Sequence, residues 1–278
     1  MDFRTEVIIE KAVTKIEPFE RVLCVGSCFA DNIGKKFEYF KFVTEVNPYG
    51  VMYNPASILH TVNKTLFVPD TVLITLGTNR VYILKETGEI VDNCQKRPQK
   101  LFNEHDLSID ECFDYLDNAV KALKERNSNV HIIVTVSPIR YKKYGFHGSN
   151  LSKATLLLAA DRITKSYPDT VTYFPAYEIV NDELRDYRFY AEDMLHPTPQ
   201  AVEYIWQKFT NTYFSDKALR FMSEWRKIAE ALGHRPFNPE SEEYRCFIEK
   251  TKKQIEEMAV RWNNPLLAQH KNNEIQDK

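Results

Sequence analysis

Residues 71–76 read Thr-Val-Leu-Ile-Thr-Leu, a β-prone run without charge and with almost no polar surface. A strand that is apolar on both faces must be covered on both sides, as in a parallel sheet held between helix layers. Residues 21–25, 130–136 and 171–174 suit the same role, and a shorter strand is expected at Phe42–Val46. Between these runs the period changes. Phe29, Ile33, Phe37 and Phe40 recur at spacings of four, four and three, one face of a helix. Further helices are expected at about residues 55–63, 109–126, 151–166 and 199–213. Strand and helix thus alternate, which predicts right-handed βαβ units. The fold class that follows is α/β: a three-layer α/β/α sandwich with a mainly parallel central sheet.

Two stretches interrupt the alternation. A hairpin is expected from residues 81–85 and 89–91, turned by Thr87-Gly88. Residues 141–150, rich in Tyr, Lys and Gly and containing His147, read as a loop that covers or contacts a ligand. After Asp216 the pattern is helical only. Leu219, Met222, Trp225 and Ile228 keep helical spacing, as do Tyr244, Phe247, Ile248, Ile255 and Met258. The Gly233–Pro239 stretch separates the two runs. Three parts are therefore expected: an α/β domain over 1–214, a helical hairpin over 215–269 packed on it, and a polar tail over 270–278. Trp225 and Trp262 read as core, and a homodimer through the C-terminal helices is an expected mode of association.

Composition narrows the class of partner. With 37 basic and 39 acidic side chains the formal charge is −2, which provides no field to gather nucleic acid. The N-terminus lacks the basic start and apolar run of a secretory signal. The longest purely apolar stretch, Leu156–Ala160, is five residues long, against roughly 20 needed to cross a bilayer. The expectation is a cytoplasmic chain with neither nucleic acid nor membrane as partner. Five cysteines (Cys24, Cys28, Cys94, Cys112, Cys246) are odd in number and irregularly spaced, which reads as reduced thiols. Cys24 and Cys28 lack the second ligand pair of a zinc site, so no metal and no other cofactor is expected.

Chemistry gathers at strand ends. Ser27 follows Gly26 at a strand-to-helix turn, above the carboxyl end of a parallel strand, where open α/β sheets place their sites. The N–H groups and dipole of the helix could stabilise an anion there. Ser27 also suits a plain helix cap, and Cys28 beside it is a rival nucleophile. A serine hydroxyl needs a base, and a histidine base needs an acid to fix its tautomer. Asp193-Met194-Leu195-His196 supplies both within one turn. Asn79, just past the 71–76 strand, could donate its amide to an oxyanion. Gly50, in the loop Asn47-Pro48-Tyr49-Gly50, could bring a backbone N–H close to a substrate. Ser137 and Arg140 follow another buried strand and are expected to line the pocket. Arg185, Asp186, Arg188 and Tyr190 are expected to support the Asp-x-x-His turn.

The run Gly26-Ser27-Cys28-Phe29-Ala30 resembles the motif after which the GSCFA family is called, and that family resembles a branch of the SGNH, or GDSL-like, hydrolases. Four SGNH blocks match: Ser27 as nucleophile, Gly50 as loop glycine, Gly77 and Asn79 in Gly-x-Asn, and Asp193 and His196 in Asp-x-x-His. The chain departs from its relatives at Gly26, where they usually carry aspartate. The resemblance covers about residues 20–210 and implies a flavodoxin-like sheet. It also implies serine-dependent hydrolysis of acyl esters, with small-molecule or carbohydrate esters as substrates. The oxyanion would be held by the Ser27 and Gly50 N–H groups and the Asn79 amide. An acyltransferase would use the same triad, and a non-catalytic binding or scaffold protein would keep the fold without turnover. An ordinary α/β-hydrolase is not indicated, because Gly-x-Ser-x-Gly is absent.

Overall fold

The computed structural model describes residues 4–92, 97–234, 236–264 and 267. The chain forms two compact units, Met1–Phe214 and Ser215–Lys278. Cys94 and the tail expected at 270–278 lie outside the described residues.

The first unit is built on five strands: β1 (Arg21–Gly26), β2 (Val43–Val46), β3 (Thr71–Leu76), β7 (His131–Val136) and β8 (Val171–Tyr173). All neighbours pair in parallel, in the order β2-β1-β3-β7-β8. Within this sheet the order is 2-1-3-4-5, the flavodoxin-like winding, in which strand order reverses between β1 and β3. The carboxyl ends of those two strands border the crevice that such sheets leave open.

Helices α2 (Pro55–Lys64), α3 (Ile109–Arg126) and α4 (Gly145–Ser166) pack side by side, while α1 (Cys28–Tyr39) packs with α6 (Pro199–Tyr213). The strands alternate accordingly. Leu23, Val25, Val72, Ile74, Ile132 and Val134 join the core under α2, α3 and α4. The other core is aromatic: Phe37 lies 5.1 Å from Trp206, 5.3 Å from Phe42 and 5.7 Å from Phe214, centroid to centroid. Side-chain caps start the helices where the sequence changes period. Asn54 accepts from Ser57 N–H, Thr198 from Ala201 N–H, and Ser108 with Glu111 forms a reciprocal capping box.

Two expectations are corrected. The hairpin β4 (Arg80–Leu84) with β5 (Ile90–Val91) gains a third strand, β6 (Phe102–Asp106), which pairs antiparallel with β4. The run Phe-Asn-Glu-His-Asp is exposed after its first residue, so it carries no hydrophobic alternation to betray a strand. Helix α4 begins at Gly145, so six of the ten residues of the loop expected at 141–150 are helix. Its first turns bury Ser149, Ser152 and Lys153, polar residues that an apolar-period search passes over. After β8 a short turn α5 (Ala176–Glu178) runs into a π-helical stretch Ile179–Leu184.

The second unit has two helices, α7 (Asp216–Gly233) and α8 (Glu242–Arg261), capped by Ser215 and Ser241. They pack together, with Phe221 5.2 Å from Trp262 and the Trp262 Nε1–H donating to Glu224 Oε2 at 3.0 Å.

Candidate active site

The crossing from β1 to α1 is fixed by glycine geometry. Gly26 has a φ of +134°, and a Cβ on it would lie 2.2 Å from the Thr75 carbonyl oxygen. No L side chain fits there without displacing the Thr75 backbone. The Gly26 N–H donates to Asn47 Oδ1 at 2.9 Å, and Asn47 Nδ2 donates to Asp31 Oδ1 at 2.6 Å. The turn is therefore tied to both the β2 loop and the first turn of α1.

Ser27 follows at 2% exposure. Its Oγ accepts the Phe29 N–H at 3.2 Å and shares a hydrogen bond with Thr75 Oγ1 at 3.0 Å. The hydroxyl thus caps α1 and also opens onto a cavity of about 280 Å³. Cys28, Tyr53 and Gly77 share that wall, and His196 and Arg140 close it from the other side.

His196 sits on a turn that Asp193 organises. Asp193 Oδ1 accepts the backbone N–H of Leu195 at 2.8 Å and of His196 at 3.0 Å, and its Oδ2 lies 2.5 Å from His196 Nδ1. Met194, between them, takes a φ of +59° to make the turn this tight. The His196 N–H first, then the Leu195 N–H and the ring, hold the Asp193 carboxyl down at about 2. Asp193 is therefore ionised at any working pH. A carboxylate beside Nδ1 favours the proton on that nitrogen and leaves the Nε2 lone pair able to accept one. No hydrogen bond joins Ser27 Oγ to the His196 ring in this arrangement; the two groups face one cavity.

The oxyanion donors expected from the sequence are not brought together. The Ser27 N–H donates to Thr75, to its carbonyl at 3.0 Å and its Oγ1 at 2.9 Å. The Gly50 N–H closes the Asn47–Gly50 turn on the Asn47 carbonyl at 2.7 Å. The Asn79 side-chain amide donates to the Leu107 carbonyl at 2.7 Å, while the Asn79 backbone carbonyl accepts the Leu107 N–H at 2.9 Å. Asn79 thereby ties the start of β4 to the end of β6, and neither Asn79 nor Gly50 lines the cavity. The donor with no assigned partner at this point is the Cys28 N–H, first of α1, where a helix leaves its amides unpaired.

Ser137 and Arg140 line the cavity as expected. Arg185, Asp186 and Tyr190, expected to support the Asp-x-x-His turn, line a second cavity beside it, and Arg188 pairs loosely with Asp186 at 3.8 Å. His147 lines neither.

Sequence reading missed Lys153. Its Nζ donates to the Gly77 carbonyl at 2.7 Å and the Ser137 carbonyl at 2.8 Å, joining the ends of β3 and β7 from beneath. Burial pushes its ammonium down to about 7. The signal was present: Lys153 falls three and seven residues before Leu156 and Ala160, a lysine in phase with the buried stripe of its helix. Tyr53 and Thr75 were also missed, because their role depends on pairing between distant segments.

Among the described residues, no group of His, Cys, Asp and Glu is arranged to hold a metal ion, and no helix is long and apolar enough to cross a membrane. The described cysteines, Cys24, Cys28, Cys112 and Cys246, are free thiols.

A parallel sheet of 2-1-3-4-5 order between helix layers, with a capped serine at its switch point, is a flavodoxin-like α/β/α architecture. Residues 21–71 and 59–209 match the GSCFA family, and residues 225–266 match the GSCFA domain protein, C-terminal domain. The chain belongs to the GSCFA family. No curated protein matches it. Among solved structures it is similar to an acetylxylan esterase from Geobacillus stearothermophilus, at 14% identity and a TM-score of 0.46, covering 73% of this chain and 98% of that one. It is also similar to a carbohydrate esterase family 3 protein from Talaromyces cellulolyticus, at 12% identity and a TM-score of 0.41, covering 74% and 99%. A protein described as a GDSL-like lipase from Parabacteroides merdae is similar at 11% identity and a TM-score of 0.47, covering 73% and 100%.

Proposed function

We propose that the chain is a serine-dependent ester hydrolase acting on small-molecule or carbohydrate esters. Ser27 Oγ attacks the acyl carbonyl while His196 Nε2 takes its proton, and the carbonyl π pair moves onto oxygen. The Cys28 N–H and the positive end of α1 stabilise that oxyanion. As the oxyanion collapses, the C–O bond to the alcohol breaks and His196 returns the proton to the departing alkoxide. Water then repeats the sequence on the acyl-enzyme, again with His196 as base, releasing the acid and restoring Ser27. Asp193 stays ionised and balances the imidazolium.

The observation that carries this reading is the Asp193 carboxylate. One oxygen is anchored by two backbone N–H groups and the other lies 2.5 Å from His196 Nδ1, with the same histidine facing the cavity that Ser27 opens onto.

Labelling with a fluorophosphonate probe, followed by peptide mapping, tests it, with p-nitrophenyl acetate hydrolysis measured alongside. Adduct on Ser27 is expected in the wild type, with none in Ser27→Ala and at least a hundredfold slower labelling in His196→Ala. Adduct on Cys28, or unchanged hydrolysis in Ser27→Ala, would overturn the assignment.

A further inference from the structure

A second cavity, of about 290 Å³, adjoins the Ser27 cavity, and Ile139 and Arg140 line both. Its far wall is aromatic, from Tyr177, Tyr187 and Tyr190, with Phe146 from the first turn of α4. The Arg140 guanidinium stands 4.1 Å from the Phe146 centroid, 5.4 Å from Tyr190 and 5.7 Å from Tyr187. Its Nη1 donates to the Met194 carbonyl at 3.1 Å, so the plane is held and its remaining N–H edges stay available.

Charge at this junction is unbalanced. Among the described residues no carboxylate lies within ion-pair distance of Arg140 or Arg185. Asp186, the one acid lining the cavity, has Oδ1 accepting the Arg188 N–H at 2.8 Å and Oδ2 3.8 Å from Arg188 Nε. Lys153, which also lines this cavity, gives its Nζ to two carbonyls and has no anionic partner. Two guanidinium groups with no ion-paired carboxylate therefore border this cavity, one of them oriented by aromatic faces and a backbone carbonyl, a geometry suited to an oxyanion group.

We propose that this second cavity binds the non-reacting part of the substrate, a sugar-sized ring that carries an oxyanion group. The carboxylate or phosphate is bound by Arg140 and Arg185, and the ring packs on Tyr177, Tyr187 and Tyr190. That this ligand is substrate rests on the reading of the Ser27 cavity as the reacting centre; the binding itself does not. Because Arg140 borders both cavities, an anion held there places the ester oxygens of the same molecule toward Ser27.

Calorimetric titration of the full chain with glucuronate, glucose 6-phosphate and glucose tests this without turnover. At least one anionic sugar is expected to bind tenfold or more tightly than glucose, and the preferred one shows whether carboxylate or phosphate is recognised. Arg185→Gln and Arg140→Gln, each checked for an unchanged melting transition, are each expected to weaken that binding about tenfold. Equal binding of glucose, no binding of any of the three, or full affinity in a folded Arg185→Gln variant would overturn the proposal. Anion binding by protein that fails to hydrolyse p-nitrophenyl acetate would leave this site standing and remove the esterase reading alone.

Discussion

At the scale of single residues, the Asp193 carboxylate sets what the candidate site can do. Its pKa of about 2, held down mainly by two backbone N–H groups, separates its ionisation from the range in which a histidine base works. Loss of activity toward mild acid is therefore not expected to follow protonation of Asp193. Asp193→Asn keeps an oxygen for the Leu195 and His196 N–H groups but removes the charge that balances the imidazolium. Its kcat/KM is expected to fall about 10²- to 10⁴-fold while the melting temperature changes little. Activity within threefold of wild type across the pH profile would show that the pair is not used.

At the scale of elements, the turn from β1 into α1 is the most demanding piece of backbone in the site. A methyl group at position 26 would strike the Thr75 carbonyl and would also have to tolerate a φ of +134°. Gly26→Ala is expected to destabilise the protein by about 2–4 kcal/mol and to move Ser27 away from Thr75. Urea unfolding and fluorophosphonate labelling read these two effects separately. Neutral stability with full labelling would contradict the geometry.

Elements also show what was legible in the sequence. β1, β3 and β7 announced themselves because burial on both faces leaves an uninterrupted apolar run, and α1 through its aromatic stripe. The Asp193–His196 contact and the Ser27 cap of α1 were legible because each belongs to a short local motif. The expected oxyanion donors were not, because whether an N–H is available depends on what already accepts it. For Gly50 the answer was local. In an Asn-Pro-Tyr-Gly turn the last N–H ordinarily returns to the first carbonyl. For Asn79 the acceptor is the Leu107 carbonyl, 28 residues away. β6 was hidden by its exposed, charged sequence, and the start of α4 by polar residues whose partners lie on other segments: Ser149 accepts the Tyr141 N–H, Ser152 accepts the Asn79 N–H, and Lys153 donates to the Gly77 and Ser137 carbonyls.

At the scale of the whole molecule, one buried titratable group couples the central sheet to pH. His131 opens β7 at 4% exposure, with Nε2 3.1 Å from Thr172 Oγ1 and Nδ1 without a hydrogen-bond partner. Burial lowers its pKa from 6.5 to about 4. Between those values the unfolded chain binds the proton and the folded chain does not. The stabilisation is thus complete above pH 6.5 and is lost as pH falls through about 4. The difference amounts to roughly 3 kcal/mol. Urea titrations at a series of pH values are expected to show this acid slope in the wild type, and a shallower one in His131→Phe. An identical slope in both would place the acid sensitivity elsewhere.

The Asp193–His196 turn has a consequence for how such a site is assembled. Acid and base lie three residues apart and are locked together by the aspartate's own grip on the intervening backbone, so their mutual geometry is settled within four residues of chain. Three groups on separate segments would ask the fold to fix every separation between them. Here the tertiary structure has a single separation left to set, that between the His196 ring and Ser27. Contacts that bear on it include the Gly26 turn, the Ser27 bonds to Thr75, the Arg140 contacts to Met194 and Leu195, and the Ala191 N–H to the His196 carbonyl. In such an arrangement a change elsewhere in the fold reaches the Asp193–His196 pair only by moving the turn as a unit, not by separating its two members.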